Sequence, residues 1–60
     1  MIYYNTQVLD NNGNEVAQFL FDARDEKQAV ELAKLTFSYD HPNVDQMKHQ
    51  FHAELYRRGN

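Results

Sequence analysis

The stretch Gln7–Phe21, QVLDNNGNEVAQFLF, decides the fold of this chain. It places Asn12-Gly13 between two apolar-patterned runs, which is the strongest short-range signal of a β-hairpin. Both residues tolerate the positive φ angles that a two-residue type I′ turn requires. With these two residues as the loop, the numbers of facing residues sum to 25. The sequence therefore predicts an antiparallel hairpin in one defined register.

The side chains that this register brings together support it. One face is almost wholly apolar, with the pairs Val8–Ala17, Thr6–Phe19, Tyr4–Phe21 and Ile2–Ala23. The other face is mixed, with the pairs Leu9–Val16, Gln7–Gln18, Asn5–Leu20 and Tyr3–Asp22. A slip of one residue would turn the apolar side chains of one strand to the opposite face of the sheet. The turn chemistry and the side-chain pattern therefore predict the same register.

A helix is predicted directly after the hairpin. Asp25 is the expected N-cap, with Asp22 as an alternative one turn earlier, and strong helix formers continue to about Ser38. The helix should end at Asp40–Asn43, DHPN, because the residue before Pro42 is pushed out of the α region. The face expected to cover the hairpin consists of Ala29, Val30, Leu32, Ala33, Thr36 and Phe37.

Leu35 and Tyr39 widen the apolar arc of this helix beyond a single buried face. We prefer the interpretation that they pack under the C-terminal segment. The alternative is an exposed patch that binds a partner.

The C-terminal stretch Met47–Arg58, MKHQFHAELYRR, fits two periods. As a strand, it alternates Met47, His49, Phe51, Ala53 and Leu55 with polar residues, and Met47, Phe51, Ala53 and Leu55 are then expected to complete the core. As a helix, it carries a stripe of Val44, Met47, Phe51 and Leu55, and its composition favours this state. We prefer the strand, because a two-stranded sheet is poor and a third strand beside the first would bury more of the helix.

The predicted fold is therefore a single α+β domain over residues 1–60 with the element order ββαβ. One helix covers one face of a three-stranded antiparallel or mixed sheet with strand order 2-1-3. The alternative is a ββαα arrangement with a C-terminal helix.

The stretch FLFDARDEKQAVELAKLTF, residues 19–37, resembles a pattern of short phage-encoded proteins in which a hairpin precedes a helix and a final strand. Small inhibitors of bacterial RNA polymerase share this layout. The resemblance implies a ββαβ fold and an accessory or host-directed binding role. It transfers no functional residue to this chain.

Composition limits the classes of function. The net charge of −3 argues against a protein that coats nucleic acid by neutralising phosphates. Residues 1–46 hold eight acidic and three basic residues, whereas residues 47–60 hold one acidic and three basic residues. The chain has no cysteine, no signal-peptide pattern in MIYYNTQVL and no apolar run long enough to span a membrane. We expect a cytoplasmic protein, in the host cytoplasm if a phage encodes it.

Three histidines raise the question of a metal site. His41, His49 and His52 could hold zinc if their imidazoles converged on one ion. On a helix, His49 and His52 would share a face, but on the preferred strand they point to opposite faces. We therefore expect a half-buried His49, an exposed His52 and no metal or other cofactor.

Catalysis is not expected. Ser38, the only serine, lies beside Tyr39, Asp40 and His41, but residues adjacent in sequence seldom assemble as a triad. The chain has no glycine-rich phosphate loop, because its glycines are Gly13 and Gly59. A 60-residue domain also has little volume for a pocket that excludes water.

Binding of a protein partner is the predicted function, with self-association as one form of it. The candidate partner-binding residues are Leu35, Tyr39, Tyr56, Arg57 and Arg58, since aromatic and arginine side chains often anchor interfaces. The exposed sheet edges and the outer-face residues Leu9, Val16 and Leu20 are further candidates. The alternative is weak binding of single-stranded nucleic acid through Tyr3, Tyr56 and the basic C-terminus.

Overall fold

The computed structural model of the chain describes residues 2–58. Its elements are strands β1 (Ile2–Leu9) and β2 (Glu15–Asp22), helix α1 (Glu26–Asp40), a short 3-10 helix (Gln46–Lys48) and strand β3 (Gln50–Arg58). The three strands form one antiparallel sheet in the order β2-β1-β3. The predicted ββαβ fold and strand order are confirmed, and the alternative C-terminal helix does not form. No helix among the described residues is long and apolar enough to cross a membrane.

The β1–β2 register follows the prediction over most of its length. All pairs from Tyr3–Asp22 to Val8–Ala17 have the expected partners. Near the turn the prediction is wrong, because Leu9 faces Glu15 and not Val16. Val16 is an extra residue in β2, which makes it a β-bulge.

The hairpin turn also differs from the predicted type I′. Gly13 has a φ of +83°, but no other residue in the described part of the chain has a positive φ, so Asn12 does not meet the type I′ requirement. The Gly13 N–H donates to the Asp10 carbonyl at 3.0 Å, and the Asp10 N–H donates to the Asn14 carbonyl at 2.8 Å. These bonds close a three-residue loop in which a type I turn is followed by a left-handed glycine.

The longer loop and the bulge compensate each other. A three-residue loop displaces β2 by one residue relative to the predicted register, and the extra Val16 displaces it back. The pairs beyond Val8 therefore agree with the prediction although the turn does not.

The Asp10 side chain holds the turn together. Its carboxylate accepts the N–H groups of Asn12 and Asn14, each at 2.9 Å. These bonds favour the charged carboxylate and, with the Asn14 N–H as the largest cause, lower the pKa of Asp10 below the usual aspartate range.

Helix α1 begins and ends where the sequence predicts. The Asp25 carboxylate caps it by accepting the Gln28 N–H at 2.8 Å, and the Gln28 side chain accepts the Arg24 N–H at 2.7 Å. The helix ends at Asp40, and His41, which precedes Pro42, has a φ of −133° and a ψ of 68°. As predicted, Ala29, Ala33 and Phe37 form the buried stripe.

Strand β3 forms because it covers the side of the helix that the hairpin leaves open. Phe51 faces Val8 across the β1–β3 ladder, and its ring meets Phe37 edge-on at 5.9 Å. This packing outweighs the helical propensity of the segment. Two details of the predicted core are wrong: Met47 lies in the 3-10 helix and is 93% exposed, and Leu55 is 47% exposed.

The helix lies off the centre of the sheet. It packs more extensively against β1 and β3 than against β2. As a result, the inner-face residues of β2, Ala17, Phe19 and Phe21, remain only half-buried. This asymmetry leaves the β2 edge as the less covered side of the domain.

Candidate functional site

A β-bulge in β3 shapes the outer face of the sheet. Tyr4 pairs with Leu55 and Tyr3 pairs with Arg57, so Tyr56 is an extra residue in the strand. At a bulge, two residues of one strand oppose one residue of the other. The bulge therefore sets both Tyr56 and Arg57 against Tyr3.

Leu20 of β2 completes the arrangement from the opposite edge. Together Tyr3, Leu20, Tyr56 and Arg57 line a depression of about 270 Å³, and we refer to these four residues as the outer-face cluster. Tyr3 is half-buried on the central strand, whereas Leu20 is 56% and Tyr56 62% exposed. The cluster thus combines a fixed aromatic floor with accessible apolar and cationic walls.

The surroundings of the cluster are polar, with few charges. Asp22 faces Tyr3 on β2, and Glu54 faces Asn5 on β3, so these two acidic residues lie on the same face of the sheet as Arg57. The rest of the outer face carries mainly amide side chains and one imidazole, from Asn5, Gln7, Gln18, Gln50 and His52. Such a face suits a polar rim around an apolar anchor.

The structure separates the five predicted partner-binding residues. Only Tyr56 and Arg57 come together in the outer-face cluster. Arg58 faces Ile2, which contacts the core, and so lies on the helix side of the sheet. Leu35 and Tyr39 lie on α1, also away from the outer face.

Leu35 and Tyr39 do not pack under β3. They are 71% and 89% exposed, so the preferred interpretation of these residues is wrong. The helical period places Val30 and Lys34 on the β3 side, where they line a groove with Phe51, and it turns Leu35 and Tyr39 away from that strand. They therefore cannot form one surface with the outer-face residue Leu20.

The sequence pointed to all four members of the cluster separately, Arg57 among the candidate partner-binding residues, but not to their assembly. Tyr3 and Tyr56 are aromatic residues expected on the sheet, and Leu20 was expected on the mixed face. A strict strand alternation would place Tyr56 and Arg57 on opposite faces. The bulge that reconciles them leaves no distinct mark in the residues Leu55–Arg58, LYRR.

The three histidines do not converge. His41 and His49 pack against Phe37, with ring centroids at 4.7 and 5.3 Å, and the His49 Nδ1 lies 2.9 Å from the Asp45 carbonyl oxygen. His52 faces Gln7 on the outer face, as the strand prediction required. Among residues 2–58, no group of three metal-ligating side chains is arranged to hold an ion.

A larger groove of about 510 Å³ lies between α1 and β3. Its lining residues are Glu26, Lys27, Val30, Glu31, Lys34, Phe51, His52 and Ala53. The Lys34 ammonium lies 5.8 Å from the centre of the Phe51 ring, a distance at which cation and ring attract each other. Charges of both signs therefore line a partly apolar floor, which is the usual character of a solvated helix flank.

Comparison with known proteins adds no assignment to this geometry. The resemblance to short phage-encoded proteins stays a prediction on the residues quoted for it. No protein-family model matches the chain, and neither the curated proteins nor the solved structures contain a match.

Proposed function

We propose that this protein is a non-enzymatic protein-binding module whose anchor is the outer-face cluster. The observation that carries the proposal is the bulge at Tyr56, which sets a tyrosine and an arginine against Tyr3 on an open sheet face. Tyrosine and arginine are enriched among the residues that dominate binding energy at protein interfaces.

The exposure of the cluster supports this role. Tyr56 is 62% and Leu20 56% exposed, so a partner would remove substantial apolar surface from water at both positions. Tyr3 sits on the central strand, where the ladders to β2 and β3 fix its backbone. A rigid backbone reduces the entropy that binding must overcome.

We extend the proposal to the kind of partner. The resemblance to phage accessory proteins makes proteins of a bacterial host the first candidates. The flanking Asp22 and Glu54 favour a partner whose surface brings basic or amide groups to the rim, since electrostatic complementarity governs selectivity at such positions.

A second function has a specific observation in its favour. Two tyrosines and an arginine on a sheet face are also the parts of a platform that stacks the bases of single-stranded nucleic acid. The acidic neighbours and the net charge of −3 weigh against it, because they repel the phosphate backbone.

The experiment compares variants that the structure matches in pairs. Tyr56→Ala and Arg57→Ala change the cluster, whereas Tyr39→Ala and Arg58→Ala remove the same residue types from the other side of the sheet. The tagged proteins are used to recover partners from a bacterial lysate, with and without nuclease, followed by mass spectrometry and measurement of Kd. We expect Tyr56→Ala and Arg57→Ala each to weaken binding of the recovered protein partner by about 1–2 kcal/mol, which raises its Kd roughly tenfold.

The control variants decide the interpretation. Tyr39→Ala and Arg58→Ala should bind like the wild type. Equal losses in both pairs would contradict the cluster as the anchor. Recovery that disappears after nuclease treatment, together with binding of oligothymidylate at physiological salt, would instead assign the cluster to nucleic acid.

A further inference from the structure

We propose that two copies of this chain associate through their β2 edges and form one continuous antiparallel sheet with both helices on the same side. This homodimer uses the edge opposite to β3. It does not depend on the function proposed for the outer-face cluster.

The β2 edge presents unpaired backbone N–H and C=O groups at every second residue. Among residues 2–58, β2 pairs only with β1, and the Ala23 N–H at its end donates to the Ile2 carbonyl at 2.9 Å. Because strand residues alternate in direction, Ala17, Phe19 and Phe21 also point their backbone groups towards β1. The N–H and C=O groups of Gln18, Leu20 and Asp22 therefore point outward, where a further strand would pair.

The two sheet edges differ in how they are protected. Natural edge strands are usually blunted by charged residues, proline or a bulge. The β3 edge carries charges and a bulge, with the residues Lys48, Glu54, Tyr56, Arg57 and Arg58 in or beside it. The central stretch of β2, Val16–Phe21, contains no charge and no proline, and its bulge lies at one end.

In one register, the β2 strands of two copies present complementary residues to each other. With a two-fold axis at Leu20, Leu20 faces Leu20 of the second copy, Phe19 faces Phe21, and Gln18 faces Asp22. Each pair keeps like faces together, and the outward-pointing residues Leu20, Gln18 and Asp22 form the hydrogen-bonded pairs. An axis at Phe19 would instead bring Asp22 beside Glu15 of the other copy, where two carboxylates repel.

The inner face of β2 supports the same pairing. The Phe19 and Phe21 rings stack at 5.5 Å and remain half-buried, because α1 lies towards β3. In the dimer the two central strands would lie about 14 Å apart, three strand spacings, so the helices would be too distant to pack directly. The four phenylalanine rings then fill the space between the helices.

Self-association would also add buried apolar surface to a domain whose own core is small. The fully buried side chains are small or medium in size, namely Thr6, Val8, Ala29 and Ala33. A chain of 60 residues buries only about 60% of the surface that its unfolded form exposes. Pairing at β2 would bury additional phenylalanine surface and stabilise the folded chain by mass action.

The same substitution at two positions tests the interface and its register. Leu20→Lys places two ammonium groups opposite each other across the axis, whereas Gln18→Lys places each one opposite Asp22. Both side chains are exposed on the same face of the same edge strand. Sedimentation equilibrium should show a dimer for the wild type, a dimer Kd raised roughly tenfold or more for Leu20→Lys, and little or no increase for Gln18→Lys.

A measurement on the wild-type protein makes the test independent of how the variants fold. Amide exchange is followed by NMR at low and high protein concentration. The Leu20 and Gln18 amides should gain protection only at high concentration, whereas the Phe19 and Phe21 amides, bonded to β1, should be protected at both. A protein that stays monomeric at millimolar concentration overturns the proposal. So does equal dissociation by the two lysine variants, or protection at Leu20 that does not change with concentration.

Discussion

Replacing Thr6 with valine is expected to stabilise the protein. Thr6 is fully buried in the centre of the sheet, between Phe19 on β2 and Ala53 on β3. Its Oγ1 has no hydrogen-bond partner among the residues that the structure describes. Valine has nearly the same shape and places a methyl group where the hydroxyl now lies.

The size of the effect follows from the desolvated hydroxyl. A buried polar group without a partner costs about 1–3 kcal/mol, and an apolar group of the same shape avoids that cost. We expect Thr6→Val to raise the free energy of unfolding by about 1 kcal/mol or more. For a domain of this size, that corresponds to a rise in Tm of about 4–8 °C.

Two control variants bracket the prediction. Val8→Thr makes the reverse exchange at the neighbouring fully buried position of the same face, and should destabilise by about 1–3 kcal/mol. Thr6→Ser keeps the hydroxyl and removes the methyl group, which should cost about 1 kcal/mol. Thermal and urea unfolding followed by circular dichroism measure all three, at one protein concentration so that self-association contributes equally. A Thr6→Val protein no more stable than the wild type would show that the hydroxyl is satisfied in solution.

Two further predictions concern the hairpin turn. Gly13→Ala should lower the free energy of unfolding, measured by thermal unfolding, by about 1–2 kcal/mol. Gly13 has a φ of +83° and an added Cβ meets no atom within 4 Å, so the loss comes from backbone strain alone. Gly13→Asn should recover part of the loss, and an unchanged Tm for Gly13→Ala would contradict the left-handed conformation of Gly13. NMR titration should place the pKa of Asp10 below the usual aspartate value, because the charged carboxylate accepts the N–H groups of Asn12 and Asn14. These bonds therefore stabilise the folded protein above about pH 4, and this stabilisation is lost as the pH falls through the lower pKa of the folded state. Asp10→Ala should remove that part of the pH dependence, and an Asp10 titration at or above the usual value would refute it.

The hairpin and the helix were predictable because independent signals agreed on them. The Asn12-Gly13 dipeptide, the alternation of the two runs beside it and the stop at Pro42 each act locally, and each is borne out in position. The turn type was not predictable, since a two-residue loop and a three-residue loop with a bulge give the same pairs beyond Val8. The φ of Asn12 and the pairing of Leu9 with Glu15 distinguish the two loops, and an asparagine at position 12 fits both.

The structure of the C-terminal segment depends on long-range contacts and not on its local sequence. Its composition favours a helix, and the strand wins because Phe51 packs on Phe37 and the ladder to β1 is completed. The same long-range pairing creates the bulge at Tyr56, which no pattern in the residues predicts. The members of the outer-face cluster could therefore be named from the sequence one at a time, but their assembly depends on a ladder that forms only in the folded chain.

The position of α1 connects the two proposed surfaces. Because the helix lies towards β3, it leaves the central, uncharged stretch of the β2 edge with half-buried phenylalanines. Leu20 belongs to both surfaces, as a wall of the outer-face cluster and as the residue at the proposed two-fold axis. Pairing at β2 would set two clusters side by side on one sheet face, on either side of the paired Leu20 residues. A partner with two matching segments would then bind the dimer more tightly than the monomer without any new type of contact, because the second segment binds at a high effective concentration.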